Sequence, residues 1–448
     1  MVYLLYIGTL RAQDTHYWSN QYGTRADLLG GIVIGSVKDL SSVYYNPGAV
    51  SFSSERSLVI STHAFDITYM KWHLPNYQGK EYNSIKTRPA PVIFAIRLTE
   101  NRKSKHNFVI SYLEKEDIFH QIELYNIPSD QDNDVPIIVQ DEYDELIYFR
   151  NITEYWGGIT WSYTYSKNLG IGCTLYGSYR NEEAQNRFSF QRTFSAEDGM
   201  SLQYQRKYDI SNIRIFTKLG VFYEDDSFSL GVTSILPSIP LFGWASLTYL
   251  DSRINVPTDQ SNTESSILSI TQSTNNTVYK YPFTIGIGGS FKTGKTTWHL
   301  SLEWFKEIPV YTALKARDVT DPVDGEKINL DVHNASRSVL NYGIGFQHSY
   351  ENDIDFYVAL RTDFSSKIPD VNGVLNLANY NKYFITSGAA FKVFDYFITS
   401  GISVGFGSSN SNSLLSILLP NLTGDDLGEV GNIDVNYYNI KFIFGFSF

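Results

Sequence analysis

The final eleven residues, YNIKFIFGFSF, set the strongest constraint on this chain. Tyr438, Ile440, Phe442, Phe444, Phe446 and Phe448 fall on one side of a period of two, and Asn439, Lys441, Ile443, Gly445 and Ser447 on the other. Successive side chains of an extended strand point to opposite faces, so this segment reads as a β-strand with one continuous aromatic face. The same period recurs along the chain. Ile159, Trp161, Tyr163 and Tyr165 alternate with Gly158, Thr160, Ser162 and Thr164, and after the turn SKN, Leu169, Ile171, Cys173 and Leu175 alternate with Gly170, Gly172 and Thr174. Trp298, Leu300, Leu302 and Trp304 oppose His299, Ser301 and Glu303; Leu340, Tyr342, Ile344 and Phe346 oppose Asn341, Gly343, Gly345 and Gln347. Arg97, Arg214, Lys218, Glu303, Asp355, Arg361, Asp363, Lys392 and Lys441 all stand out of phase with the apolar faces. Period alone admits two folds: a soluble sandwich that buries the apolar face between sheets, and a barrel that turns it toward lipid.

The connections separate the two. Tight turns near 394–395, 351–352, 293–294, 224–226 and 167–168, with a longer basic one at 99–105, alternate with long connections at 74–88, 125–146, 182–208, 252–278, 311–337, 366–379 and 408–435. Short turns at one end and long loops at the other are the layout of outer-membrane barrels. The expected fold is therefore all-β, a transmembrane antiparallel β-barrel of about 14 strands. The strands are placed near 57–73, 89–98, 106–124, 147–166, 169–181, 209–223, 227–251, 279–291, 296–310, 338–350, 353–365, 380–393, 396–407 and 436–448. Pro237 and Pro240 interrupt 227–251; because proline removes a ladder donor, that segment is read as one kinked strand, which also keeps the count even. The aromatic end of the chain resembles the terminal signal of Gram-negative outer-membrane barrels.

Composition agrees. Aromatic residues make up 15% of the 448, with 33 Tyr and 28 Phe. No window reaches the roughly 18 consecutive apolar residues of a spanning helix, and the mean hydropathy is below zero, as expected where lipid-facing and lumen-facing residues cancel. A net charge of −11 argues against nucleic acid as a partner. One cysteine, Cys173, precludes an internal disulfide, and no Cys/His spacing points to a metal. No cofactor is expected.

A barrel this wide cannot fill itself with its own side chains, which gives the segment before the first strand a purpose. Residues 1–13, MVYLLYIGTLRAQ, read as a truncated signal peptide. Residues 14–56 carry Gly23, Gly30, Gly31, Gly35 and Gly48 around DLSSVYYNPG and read as a hatch inside the barrel of 57–448. Asp39 or Ser41 serves to cap a short helix through Tyr44 and Tyr45, and Pro47 ends it by holding Asn46 extended.

The stretch LLGGIVIGSVKDLSSVYYNPGAVSF resembles the N-terminal region of the long-chain fatty-acid transporter family of outer-membrane proteins, and YWSNQYGTRADLLGG before it is similar to Bacteroidetes-type members. The resemblance implies a fourteen-stranded barrel with an N-terminal hatch in the Gram-negative outer membrane, contacting membrane lipid. It further implies passive uptake of hydrophobic small molecules such as long-chain fatty acids or aromatic compounds. Asn46 and Pro47 match the family motif, while Gly48 stands where alanine is usual, a departure expected to loosen the hatch. Apolar stretches in the loops, 266–270, 373–377 and above all Leu414, Leu415, Ile417, Leu418, Leu419 and Leu422, are candidate outer surfaces for a ligand or a partner. The alternative function is a barrel subunit or docking platform in an outer-membrane secretion or assembly complex, with other outer-membrane proteins as partners. Hydrolysis needs a nucleophile beside a base; His63, His299 and His348 fall within strands with no motif to supply one, so no catalytic residue is expected.

Overall fold

The computed structural model describes residues 10–11, 16–53, 58–61, 65–74, 80–88, 93–99, 104–125, 141–194, 198–257, 263–322, 325–350, 354–368, 380–393, 396–411 and 433–447. The strands form a closed antiparallel barrel. Its wall runs β1 (Leu58–Ser61 and Phe65–Leu74), β2 (Lys80–Arg88 and Ile93–Arg97), β3 (His106–Tyr125), β4 (Asp141–Thr164), β5 (Leu169–Thr193), β6 (Gly199–Glu224) and β7 (Phe228–Ile235 and Ile239–Pro257). It continues through β8 (Thr263–Thr274 and Thr284–Thr293), β9 (Thr296–Phe305), β10 (Val339–Tyr350), β11 (Ile354–Asp363), β12 (Lys382–Val393), β13 (Tyr396–Ser411) and β14 (Ile433–Ser447). Each pairs with its sequence neighbour, and β14 pairs back onto β1 from Phe442↔Phe65 to Asp434↔His73, which closes the ring.

Period two becomes inside and outside. On β9, Trp298 is 46% exposed and His299 1%; Leu300, Leu302 and Trp304 face out, Ser301 and Glu303 in. On β14, Tyr438, Ile440, Phe442 and Phe444 are exposed while Asn439 and Lys441 are buried. The out-of-phase charges Arg214, Lys218, Glu303, Arg361, Asp363 and Lys441 all lie inside. An apolar exterior over a polar interior suits a wall whose outer solvent is lipid.

The kink in β7 has the cause the prolines suggest. Both halves pair with β6, and the register shifts by one residue between Pro240 and Phe242. A bulge absorbs the donor that proline lacks.

Most of the connection expected at 182–208 is instead strand, up to Thr193 and again from Gly199. β4, β5 and β6 run for 24, 25 and 26 residues, where a spanning strand needs about 9–11. Their outward faces change character part-way. Leu175, Tyr179, Leu219 and Val221 are exposed, and beyond them come ion pairs such as Lys207 with Glu183 at 2.6 Å. Outward aromatics mark the change: Tyr112 stacks on Tyr155 at 5.9 Å and Tyr179 meets Trp244 at 6.4 Å. Aromatic rings of this kind gather at the boundary between lipid and water. The hairpins thus continue past the membrane as a free-standing wall.

Residues 266–270, expected in a loop, belong to β8, where Leu268 and Ile270 pack toward an apolar cluster formed by the β9–β10 connection. That connection builds two small sheets, one of Ile308–Leu314 with Val332–Ser336 and one of Val319–Thr320 with Lys327–Ile328. Leu314, Val319, Ile328, Leu330 and Val332 seat against Tyr208, Ile210, Leu247 and Tyr249 of the projecting wall. Arg206 fastens them through its Nη2, which donates to the Leu330 carbonyl at 2.8 Å. Leu10–Arg11 pair in parallel with Val332 and His333; the other residues of 1–13 lie outside the described residues, as do 373–377 and Leu414, Leu415, Ile417, Leu418, Leu419 and Leu422.

Residues 16–53 occupy the lumen. Two short helices, α1 (Thr24–Leu28) and α2 (Ser42–Tyr45), are followed by a 3-10 turn over Pro47–Phe52. Tyr22, Leu28, Leu29, Val33, Val43, Tyr45 and Val50 share one core with wall residues including Val109, Trp156, Tyr176 and Phe222. The wall makes room with glycine: a Cβ at Gly220 would lie 2.3 Å from Asn46 Oδ1, and one at Gly231 would lie 2.1 Å from the Ile34 carbonyl oxygen. Gly220→Val is therefore expected to dislodge the segment from an intact barrel. Faster proteolysis between residues 16 and 53, with unchanged heat-resistance of the barrel band on gels, is the readout; an unchanged cleavage rate contradicts the fit.

Candidate functional site

The segment DLSSVYYNPG forms a knot of backbone contacts. Asp39 Oδ1 accepts from the Ser41 amide at 2.8 Å and from the Ser41 hydroxyl. Ser41 occupies the N-cap of α2 without a side-chain cap of its own, so the turn is closed by Asp39. Burial pushes the Asp39 carboxyl above the usual carboxylate range, against the pull of the Ser41 hydrogen bonds. Asn46 is extended, with φ −153° and ψ 101°, as the following proline requires. Its Oδ1 accepts from the Gly48 amide, while its Nδ2 donates to the carbonyls of Ile34 and of Val221, each at 3.0 Å. One amide side chain thus joins turn, hatch and wall. Tyr45 OH accepts from the Tyr22 amide at 2.8 Å and donates to Gln21 at 3.0 Å, and the Tyr44 ring lies beneath the Lys218 ammonium at 5.0 Å.

Gly48 corrects an expectation. A Cβ there would stand 2.9 Å from the carbonyl oxygens of both Gly170 and Gly220 and 3.0 Å from the Phe222 nitrogen. The missing methyl therefore tightens the seat of the hatch on β5 and β6 rather than loosening it.

At its other end, residues 16–20 form a strap tied to the wall by charged groups. Asp363 accepts from the amides of Tyr17 and Trp18 at 3.1 and 3.0 Å and from the Ser19 hydroxyl at 2.8 Å. Arg361 donates to the Trp18 carbonyl, and Trp18 Nε1 to Glu303. His16 Nε2 donates to the Tyr380 carbonyl at 2.8 Å. His299, within β9, meets the Ser36 hydroxyl at 2.8 Å. This buried contact between hatch and wall is the serine that sequence motifs did not supply for that histidine. No carboxylate completes the pair among the described residues, and it serves as an anchor.

Beside the strap the wall departs from regular pairing. On β3 the register to β4 shifts between Glu114↔Tyr155 and Glu116↔Glu154, leaving Lys115 as an extra residue. Lys115 and Glu116 both point inward and are buried. On the other side of β3, Ile93–Arg97 of β2 pair with Leu113–Val109. Among the described residues, Lys80–Arg88 of β2 pair only with β1, and β3 beyond Leu113 pairs only with β4. Among the described residues, the ladder between β2 and β3 reaches Ile93↔Leu113, beside the bulge. The hatch occupies the bulge's polar groups: Lys115 Nζ donates to the Tyr17 carbonyl at 2.9 Å, Asn20 Nδ2 to the Lys115 carbonyl at 2.9 Å, and Tyr22 OH to the Glu114 carbonyl at 2.6 Å.

A cavity with about 780 Å³ of empty space, part of it continuous with solvent, opens at this place. Six successive β3 residues, 115 to 120, border it. His16, Ser19 and Asn20 of the strap, Asp66 and Thr68 of β1, Phe384 and Lys382 of β12, and Tyr437 and Asn439 of β14 complete the lining.

Adjoining the cavity, on β3 to β6, lies a buried charged layer. Arg180 bridges Glu116, Glu154 and Glu182 at 3.2, 3.1 and 3.3 Å, Arg150 pairs with Glu182 at 3.0 Å, and Arg214 pairs with Glu154. The Tyr279 ring receives the guanidinium groups of Arg180 and Arg214 at 4.2 and 4.3 Å. Three carboxylates meet three guanidinium groups here, the condition under which charges remain stable away from water.

No protein-family model and no curated protein matches the chain. Solved structures do. A FadL homologue of Pseudomonas aeruginosa superposes with a TM-score of 0.55 at 11% identity, over 98% of each chain. The toluene transporter TodX of P. putida gives 0.55 at 12%, over 95% of this chain and 98% of that one. The toluene transporter TbuX of Ralstonia pickettii gives 0.51 at 10%, with the same coverage. The fold is theirs. At such identities the likeness extends to architecture alone.

Asn46→Ala tests the knot. Three hydrogen bonds at roughly 1 kcal/mol each make a loss of about 3 kcal/mol, expected to speed hydrogen exchange of hatch amides about a hundredfold while the wall strands keep their protection. Equal protection in both proteins would count against the knot as the hatch's fastening.

Proposed function

We propose that this protein is an outer-membrane channel for passive uptake of hydrophobic small molecules, of the kind represented by long-chain fatty acids or aromatic compounds. The observation that carries the reading is the cavity beside the Lys115 bulge, bordered by β3 residues 115 to 120, at the place where the described β2–β3 pairing has reached Leu113 and the register between β3 and β4 shifts. A hydrophobic solute gains about 25 cal/mol per Å² of apolar surface removed from water. It has no reason to cross a water-filled pore and then re-enter water when a side exit leads into lipid. The superposed structures include proteins described as a toluene transporter and a monoaromatic hydrocarbon channel, and their fold agrees with such a route.

In this reading residues 14–56 close the lumen to polar solutes, and the strap holds the bulge in shape. The apolar run Leu414 to Leu422 is retained on its sequence alone as an outer landing surface. The chain acts by binding and release, not by chemistry.

Deleting Lys115 restores regular register between β3 and β4 and is expected to seal the side route. Cells carrying that variant should take up a long-chain fatty acid or toluene no faster than cells lacking the protein, with the barrel still heat-resistant; undiminished uptake sinks the lateral route. Removing residues 16–50 should admit small polar solutes such as glucose through the lumen. Unchanged glucose permeability would mean that the folded β9–β10 connection or the charged layer already blocks it.

A further inference from the structure

We propose that the outward face of the wall that β4 to β8 raise above the membrane binds the core saccharide of an outer-leaflet glycolipid, a lipopolysaccharide in chemical class. This rests on the outer-membrane part of the channel reading and is independent of what the lumen carries. Above the outward aromatics Tyr155, Tyr179 and Trp244 the side chains still alternate, but the outer set is no longer apolar. Asn181, Gln185, Gln205, Thr248, Thr271 and Ser273 are partly or fully exposed there, on four adjoining strands. Register sets Gln185 beside Lys207, Lys207 beside Thr248 and Thr248 beside Thr271, one row across β5 to β8. The charges of this face meet each other: Lys207 pairs with Glu183 at 2.6 Å, Arg187 with Glu145 at 2.9 Å, and Asp209 accepts from Asn181 at 3.0 Å. What remains is an array of hydroxyl and amide groups. Such groups donate to and accept from sugar hydroxyls, and they enter hydrocarbon only at a cost.

Height decides what meets the face. Residues 180–193 of β5, at about 3.3 Å each and tilted by about 45°, rise roughly 30 Å past Tyr179. A lipid head-group layer is only about 5–8 Å thick, so a saccharide carried on the lipid is what reaches the rest of the wall from the side. On the opposite side β9 to β12 are 10 to 12 residues long and raise no such wall among the described residues. At the foot of the face, Tyr179 and Trp244 form an exposed ledge with ring centroids 6.4 Å apart, and the Tyr179 hydroxyl meets Ser211 at 3.4 Å. An aromatic surface with a polar tip suits the place where acyl chains give way to sugar. The face is thus continuous with the lipid-facing surface below it, and one glycolipid molecule spans both.

The test compares two probes that share acyl chains and lipid A phosphates: rough lipopolysaccharide with a complete core, and a deep-rough form lacking all but the innermost core sugars. The full-length protein in dodecyl maltoside is titrated with each, and bound glycolipid is counted by native mass spectrometry. The expected result is at least tenfold tighter binding of the core-bearing form. The triple variant Gln185→Ala, Gln205→Ala, Thr248→Ala should bring the two forms within about threefold of one another while the barrel stays heat-resistant. If that variant does not fold, Gln205→Ala alone should weaken binding of the core-bearing form at least threefold. Equal affinity for the two forms, binding of neither, or an undiminished preference in the variants overturns the saccharide assignment and leaves the channel standing. Recovery of the native protein outside the outer-membrane fraction of a sucrose gradient overturns the channel reading together with it.

Discussion

In lipid no water is available to a backbone N–H or C=O, so a spanning sheet has to close on itself. Everything else in this molecule follows from that closure. Fourteen strands close the ladder from β14 to β1, but the circumference leaves a lumen that side chains cannot fill, and residues 16–53 fill it instead. At the Lys115 bulge, the carbonyls of Glu114 and Lys115 find partners in Tyr22 and Asn20 of the hatch. The plug is thus bonded to the backbone of the wall at the place where its register shifts.

Much of this was legible in the residues. Out-of-phase charges such as Arg214, Glu303, Arg361 and Asp363 announced a polar interior because period two leaves them no other face. Pro237 and Pro240 announced a kink because proline lacks a donor, and Asn46 announced an extended residue because Pro47 follows it. What did not show was length. Residues 182–208 looked like a loop because Glu183, Gln185, Arg187, Lys207 and Gln205 are polar where a lipid-facing strand would be apolar. They are strands that have left the membrane, and period without hydrophobicity gives a weak signal. The Lys115 bulge was equally hidden, since one extra residue changes pairing without changing composition.

The site is less legible than the fold because it is made of contacts between distant segments. The glycines of β5, β6 and β7 look in sequence like the small half of an alternating strand. Only their approach to Asn46, Pro47 and Ile34 shows that the missing side chains are a groove. The same holds for Asp363, one lumenal carboxylate among several until three groups of the strap converge on it. Charges inside a barrel are predictable in number, but which of them hold a ligand, a plug or one another depends on where the plug lies.

The two ends of the hatch are fastened differently, and this gives it the mechanics of a lever. The Asn46-Pro47-Gly48 end is seated by shape in the glycine groove and runs within a few residues into β1, so it is the fulcrum. The strap at 16–20 is the far arm, held by buried polar contacts to Asp363, Arg361 and Lys115. A small rotation about the fulcrum becomes its largest displacement at the strap, which lines the cavity beside β3. The hatch need not leave the barrel to change the shape of that cavity.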